Sequence, residues 1–292
     1  MKQYPNLIKA IASSYWAILP EKMEAIIDFL NARFEGNDAA LRKVSTTSTP
    51  AYVDDGVGIL SLDGTISQKM GLIQAYSGGT STDAFALEFR KMEADPSVKA
   101  IVIEASSPGG NVYGVSELSN IIRSSEKRVY AAANSLMASA AYWIASAADK
   151  IYVTPGGEIG SVGVLAVHTD ISQANESEGR KVTIIKAGKY KAEGNPYEPL
   201  NDESTAELQK GVDRYYDMFV KDVAAGRRAS VSKVRSDFGQ GRLMSPEDAV
   251  SAGMADGVMA FSDVMSEAKS YVKRKKNYDK RRAEINKLGG SL

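Results

Sequence analysis

Between residues 56 and 155, short apolar runs alternate with stripes of helical period. Val57 to Leu62 reads as a strand. Phe85, Phe89 and Met92 recur at three- and four-residue spacing behind Asp83, a residue able to cap a helix. Ala100 to Ile103 is a continuous apolar run, the mark of a strand buried on both faces. Val115, Leu118 and Ile122 form the next helical stripe, and Val129 to Ala133 the next strand. Leu136 to Ala147 reads as a helix of small residues carrying Tyr142 and Trp143. Ile151 to Val153 and Val182 to Ile185 read as further strands. This rhythm predicts an α/β domain with a largely parallel sheet flanked by helices.

The flanks are helical. Met23, Ile26, Ile27, Leu30 and Phe34 keep helical spacing, and the whole first 35 residues fit that reading. Leu7 to Leu19, broken by Lys9 and Ser13-Ser14-Tyr15 and closed by Pro20, reads as a soluble helix and not as a signal peptide. Ser45-Thr46-Thr47-Ser48-Thr49-Pro50 is the clearest linker. Toward the other end, Leu208, Val212, Tyr215, Phe219 and Val223 hold one helix face. Ser245-Pro246-Glu247-Asp248 is a strong helix start, with Gly253 placed to end that helix. Lys273 to Lys287 holds eight Lys/Arg against Asp279 and Glu284. The expected division is an N-terminal helical extension and linker over 1–50, a main domain over 51–265, and a basic helical or flexible tail over 266–292.

Composition narrows the chemistry. The 292 residues include no cysteine, which removes thiol nucleophiles, disulfides and Cys-ligated metals. There is one histidine, His168, so a multi-histidine metal site cannot be built from one chain. The expectation is no metal and no cofactor. Any hydrolytic base is then more readily a Lys, Asp or Glu. Thirty-six Lys/Arg balance thirty-six Asp/Glu, which argues against bulk nucleic-acid binding. No apolar run approaches the about 20 residues of a membrane-spanning helix, so no membrane span and a cytoplasmic location are expected.

Four segments could hold chemistry. Ser106-Ser107-Pro108-Gly109-Gly110 follows a buried strand, and its glycines let the backbone expose N–H groups to an anion or oxyanion. Ser139 opens a helix of small residues, where its hydroxyl can project and a substrate backbone can come close. Lys191 lies in Gly188-Lys189-Tyr190-Lys191-Ala192-Glu193, and a lysine acts as a base only when held neutral. Gly160-Ser161-Val162-Gly163-Val164 sets a small polar residue between glycines. Singly, these read as a tight turn, a helix-capping serine, a solvated lysine and a bulged strand. His168 reads as structural.

In order and spacing, the four resemble the signal peptide peptidase A family of serine proteases. Its pattern runs Ser-Pro-Gly-Gly, Ser-Gly-Gly-Tyr, Gly-Ser-Ile-Gly-Val and Tyr-Lys-Ser before an acidic-Pro segment. The equivalents here are Ser107-Pro108-Gly109-Gly110, Ser139-Ala140-Ala141-Tyr142, Gly160 to Val164, and Tyr190-Lys191-Ala192 with Glu198-Pro199. Ala225-Gly226-Arg227, Gly241-Arg242 and Ala249 to Asp256 extend the likeness over residues 56–260. The resemblance implies a Clp-protease/crotonase-like α/β fold over 51–265. It implies Ser139 as nucleophile, Lys191 as general base and Ser161 as the serine that orients the lysine. It further implies an oxyanion hole from the N–H groups of Gly109 and Ala140, with Gly110 supporting the turn. Ala140-Ala141 stand where the family has Gly-Gly, which keeps the N–H but narrows the space beside a substrate.

The same resemblance implies a protein or peptide substrate. It also implies a homo-oligomeric ring whose active sites are shared, Ser139 of one subunit facing Lys191 of the next. The Tyr15 to Pro20 segment and its polar linker resemble versions found in tailed phages and prophages, the capsid assembly (prohead) proteases, whose substrates are scaffold and head proteins. The basic tail is a solvated helical end, or a dock for scaffold or portal. Three other readings stand beside this one: a soluble cellular peptidase of the same family, an inactive relative serving as an assembly scaffold, and a crotonase-type acyl-CoA enzyme. The last gives no reason for the Tyr190-Lys191 segment.

Overall fold

The computed structural model describes residues 14–34, 51–69 and 79–289. The expected linker over 45–50 and most of the Leu7 to Leu19 segment lie outside the described residues. The class is as expected: a mixed α/β fold with a mostly parallel sheet flanked by helices.

Three parallel strands form the centre, β3 (Val57–Asp63), β6 (Ala100–Ser107) and β8 (Arg128–Ala138). β2 (Tyr52–Asp54) pairs antiparallel with β3 at one edge. On the far side of β8, β9 (Lys150–Val153) pairs with its first half and β10 (Glu158–Gly160) with its last three residues, both parallel. β11 (Leu243–Met244) closes on β10, and β12 (Gly257–Val258) on β9. A second small sheet has the order β1 (Trp16–Ile18), β7 (Gly109–Asn111), β4 (Thr65–Ser67), β5 (Gly79–Ser81).

Both faces of the main sheet are apolar because both are covered. Leu60, Leu62, Ile101, Ile103, Val129 and Ala131 pack with residues of four helices. These are α2 (Thr82–Ala94), α3 (Val115–Arg123), α4 (Ala140–Ala145) and α6 (Asp202–Arg227), the short α5 (Ser172–Ser177) falling between the last two in the chain. The alternate residues Val57, Ile59, Ala100, Val102, Tyr130 and Ala132 pack on Val264, Ala268 and Val272 of the last helix, α9 (Phe261–Gly289). Those three positions are four residues apart, one stripe of a helix. The packed part of α9 thus runs through Val272, past residue 265, before the basic stretch begins. Between α6 and α9 come α7 (Val231–Asp237) and α8 (Pro246–Ala252). In α8, Ser245 caps the start by accepting the Asp248 N–H at 3.2 Å, and Gly253 ends it at φ 90°.

Several expectations shift. Ser81, not Asp83, caps α2, accepting the Ala84 N–H at 3.2 Å. Leu136 to Ala138 continue β8 instead of opening a helix, because β10 supplies a paired edge there. Val182 to Ile185 form no strand. Among the described residues they find no ladder partner, and Ile185 is 97% exposed. Trp16–Ile18 is a strand, and helix α1 (Pro20–Phe34) begins only at Pro20. The residue before a proline is disfavoured in helix, and proline suits the first helical turn. Among the described residues no helix is long and apolar enough to cross a membrane.

Asp256 locks the C-terminal segment to the sheet. It accepts the Ile151 N–H at 2.9 Å and the Lys150 Nζ at 2.9 Å, and Arg227 lies 3.0 Å away. Burial works to raise its pKa, but these hydrogen bonds and the Arg227 charge outweigh burial and hold the carboxyl below its ordinary value. A depressed folded-state pKa gives stability that is present above the unfolded value and lost as pH falls through the folded one. Asp256→Asn is therefore expected to lower stability by about 2 kcal/mol at pH 7. The gap between wild type and variant should close as denaturant midpoints are followed from pH 6 down to pH 3. A gap that widens toward acid would contradict this reading.

Candidate active site

The strand β8 ends at Ala138, and the chain turns at once into α4. Ser139 sits at that corner with φ 55° and ψ −116°, a conformation rare for a residue with a side chain. Such backbone costs of order 1–3 kcal/mol and persists only where neighbours hold it. Here its N–H donates to Gly160 O at 2.7 Å, and its carbonyl accepts the Trp143 N–H at 2.9 Å. The side chain is fully buried. Its Oγ reaches Gly163 O only at 3.5 Å, the outer limit of a hydrogen bond. The hydroxyl is thus placed by the backbone and, among the described residues, not tied down by a strong partner.

α4 is anchored from behind. Trp143 stacks on Phe219 of α6 with ring centroids 4.6 Å apart, and its Nε1 donates to Asp222 at 2.8 Å. The same carboxylate accepts the Ser116 hydroxyl at 2.7 Å, joining α3, α4 and α6. The Tyr142 hydroxyl donates to Met254 O at 3.1 Å, and burial pushes its pKa well up, so it remains a donor. Asp222 was not singled out from the sequence. An acidic residue on the polar side of a helix looks solvated until its partners are known. Asp222→Ala is expected to cost about 2 kcal/mol in a urea unfolding series, by leaving the indole N–H and the Ser116 hydroxyl without their acceptor. An unchanged midpoint would mean the network does not hold α4.

The Gly109-Gly110 turn faces this corner. Gly109 has φ +94°, and a Cβ there would collide with the Ala17 carbonyl oxygen and stand 2.9 Å from Ser139 Cβ. The turn must therefore be glycine for Ser139 and β1 to come this close. The Gly109 N–H does not point to the same place. It donates to Ser107 Oγ at 3.2 Å, while the Ser107 hydroxyl donates to Gly64 O at 2.6 Å. The next N–H, that of Gly110, faces β1 instead. Val112 N–H donates to Tyr15 O at 3.2 Å and Leu19 N–H to Pro108 O at 3.0 Å. Bonded pairs alternate along an antiparallel ladder, so Ala17 and Gly110, in register between those two, form the bonded pair that lies between them. Gly110 thus turns its N–H toward Ala17 of β1, while the Gly109 N–H is held by Ser107. Ala140 N–H belongs to the first turn of α4, where helix donors have no intrahelical partner.

The remaining predicted residues lie in two places. Ser161 is buried beside the corner with φ 53°, its N–H donating to Arg242 O at 2.8 Å. Lys191 is elsewhere. It lies exposed on a turn whose N–H bonds Gly188 O at 3.2 Å, and no hydrogen bond or ion pair joins it to Ser139 among the described residues. Its neighbours Lys189 and Tyr190 bind Glu203 at the start of α6, each at 2.9 Å. His168 turns Nε2 to Asn195 O at 3.0 Å, a contact that pins two loops together. Among the described residues no cluster of His, Asp and Glu could hold a metal ion.

Residues 121–275, more than half of the chain, match peptidase family S49. The chain belongs to that family. It is similar to the capsid assembly protease C of Escherichia phage lambda, with 32% identity over 73% of this chain and 49% of that protein. It is also similar to the head-tail preconnector protein GP5 of Enterobacteria phage P21, with 29% identity over 73% of this chain and 43% of that one. The chain thus spans about half the length of these curated relatives or less. Among solved structures, the membrane-bound stomatin-specific protease 1510-N aligns with a TM-score of 0.48 and 16% identity. That alignment covers 74% of this chain and 86% of that one.

Proposed function

We propose that this S49-family chain is a serine endopeptidase with Ser139 as nucleophile and Lys191 as general base. The observation that carries the reading is the Ser139 corner: a strained, buried serine, free of strong partners among the described residues, packed against a Gly-Gly turn. Backbone strain at one polar residue, held by bonds from two other segments, is what positions a nucleophile.

In this mechanism Lys191, acting as the base, takes the Ser139 proton as Oγ adds to the carbonyl carbon of a peptide. The oxyanion is met by the N–H groups of Gly110 and Ala140. The amine leaves with the proton, and water, activated by the same lysine, hydrolyses the acyl-enzyme. Ser161 orients the lysine. Because Lys191 is exposed and unconnected to Ser139 within one chain, the dyad is assembled between neighbours in a ring. The exposed Val182, Ile184 and Ile185 beside that turn are apolar surface that a neighbouring subunit would cover.

The substrates we infer are scaffold and capsid proteins of a phage head, cut in the host cytoplasm or the procapsid interior. This rests on the names of the lambda and P21 relatives. The experiment is intact-mass spectrometry of the purified oligomer after an acylating serine-protease probe, beside Ser139→Ala and Lys191→Ala. One adduct per reactive chain in wild type alone is the expected result. Equal labelling of Ser139→Ala would remove Ser139 from the mechanism.

A further inference from the structure

The cleft over Ser139 is filled by the chain's own residues 15–19. Trp16–Ile18 runs antiparallel to β7 with Trp16 opposite Asn111, Ala17 opposite Gly110 and Ile18 opposite Gly109. Its other edge is also bonded: Trp16 N–H donates to Leu165 O and Leu165 N–H to Trp16 O, both at 2.9 Å. Alternate residues thus face opposite walls, with 15, 17 and 19 on β7 and 16 on Leu165. An extended peptide bonded along both edges is the way a cleft recognises a backbone whatever its sequence.

The register brings one peptide bond to the nucleophile. The Ala17 carbonyl oxygen and Ser139 Cβ crowd the same point, the place where Gly109 has no Cβ. Ala17 is also the residue whose bonded pair is Gly110, so its carbonyl meets the N–H aimed at the cleft. The side chains are seated as well. Ala17 is fully buried in the main core, and Trp16 and Ile18 close a small cluster with Met23, Ile26 and Leu165. The Tyr15 ring lies 5.1 Å from that of Tyr215, over Gly211, where any Cβ would collide with the Tyr15 hydroxyl.

We propose that this strand is the enzyme's first substrate and that the chain cuts itself between Ala17 and Ile18. The inference rests on the Ser139 reading above and adds the bond and the preference. Ser139 Oγ adds to the Ala17 carbonyl carbon as its proton passes to the lysine. The Ala17–Ile18 C–N bond breaks, and that proton goes to the Ile18 nitrogen. Water then cleaves the ester, giving an Ala17 carboxylate and free Ser139. After the cut, Tyr15 to Ala17 can leave the acyl side of the cleft, where an outside peptide then binds in their place. The subsites they vacate favour a small residue just before the cut bond and an aromatic residue two positions earlier.

The test follows the full-length oligomer by intact mass and N-terminal sequencing, with denatured casein as a second substrate in the same tube. The expected result is loss of residues 1–17 and a new N-terminus at Ile18 in wild type. Ser139→Ala and Ile18→Pro should both keep the full mass, the second because proline withdraws the N–H and distorts the bond after Ala17. Casein cleaved while the chain stays whole, or is first cut elsewhere, would overturn self-cleavage at this bond and leave the protease reading standing. Neither casein nor chain cleaved, with no probe adduct, would overturn both.

Discussion

Ser139→Ala and Lys191→Ala are each expected to lower peptide cleavage by at least about 10⁴-fold, the range seen when a nucleophile or its base is removed from an acyl-transfer site. Neither should alter folding much. Among the described residues Ser139 Oγ makes only a 3.5 Å contact, and Lys191 is exposed, so unfolding midpoints should stay within about 0.5 kcal/mol of wild type. The informative step is to co-express the two variants. A ring with heterologous contacts puts each Ser139 against one neighbour's Lys191, so random mixing leaves about a quarter of the sites with both groups intact. Activity should return to about that fraction of wild type. If serine and lysine met within one chain, every site in the mixture would lack one of them, and mixing would restore nothing. The assay therefore tests the separation of Ser139 from Lys191 within the chain, as well as the identity of the dyad.

Buried strands and capped helices were legible because their signals are local. Val57 to Leu62 and Ala100 to Ile103 show continuous apolar runs since both faces of the sheet are covered. The Ser245-Pro246 start and the Gly253 stop need only their own backbone. What was not legible depends on partners distant in sequence. Leu136 to Ala138 is compatible with helix or strand until β10 pairs with it. Val182 to Ile185 has the composition of a strand and, among the described residues, no neighbour to bond. Trp16–Ile18 needs the Gly-Gly segment of β7 and Leu165, neither of which a pattern near residue 16 can announce. The site shows the same division. Motif order brought Ser139, Ser161 and the glycine turn to notice. Which of two adjacent glycines presents its N–H is a matter of strand phase, fixed here by the bonds from Val112 to Tyr15 and from Leu19 to Pro108. Asp222 carries no motif at all, and its part appears only once three helices meet on it.

Gly110→Ala is expected to damage stability and catalysis together. β7 is squeezed between β1 and β4, and a Cβ on Gly110 would collide with the Ile66 carbonyl oxygen and stand 2.5 Å from Ile66 N. Those atoms are backbone in a hydrogen-bonded strand, so no side-chain rotation relieves the overlap. The strands must part, at about 3 kcal/mol, the upper end of ordinary overpacking. Alanine keeps the N–H, but the shift moves that donor relative to Ser139. A displaced oxyanion donor should lower kcat by roughly 10²–10³-fold with a smaller change in KM, since the donor acts mainly in the transition state. Gly156→Ala is the control, because among the described residues nothing lies within 4 Å of a Cβ there. Urea midpoints should separate the two variants by the full cost, and the catalytic loss should persist at temperatures where both are folded. A stable, slow Gly110→Ala enzyme would mean that β7 yields easily and that the donor's position alone matters. A stable, fast one would place the oxyanion hole on other N–H groups.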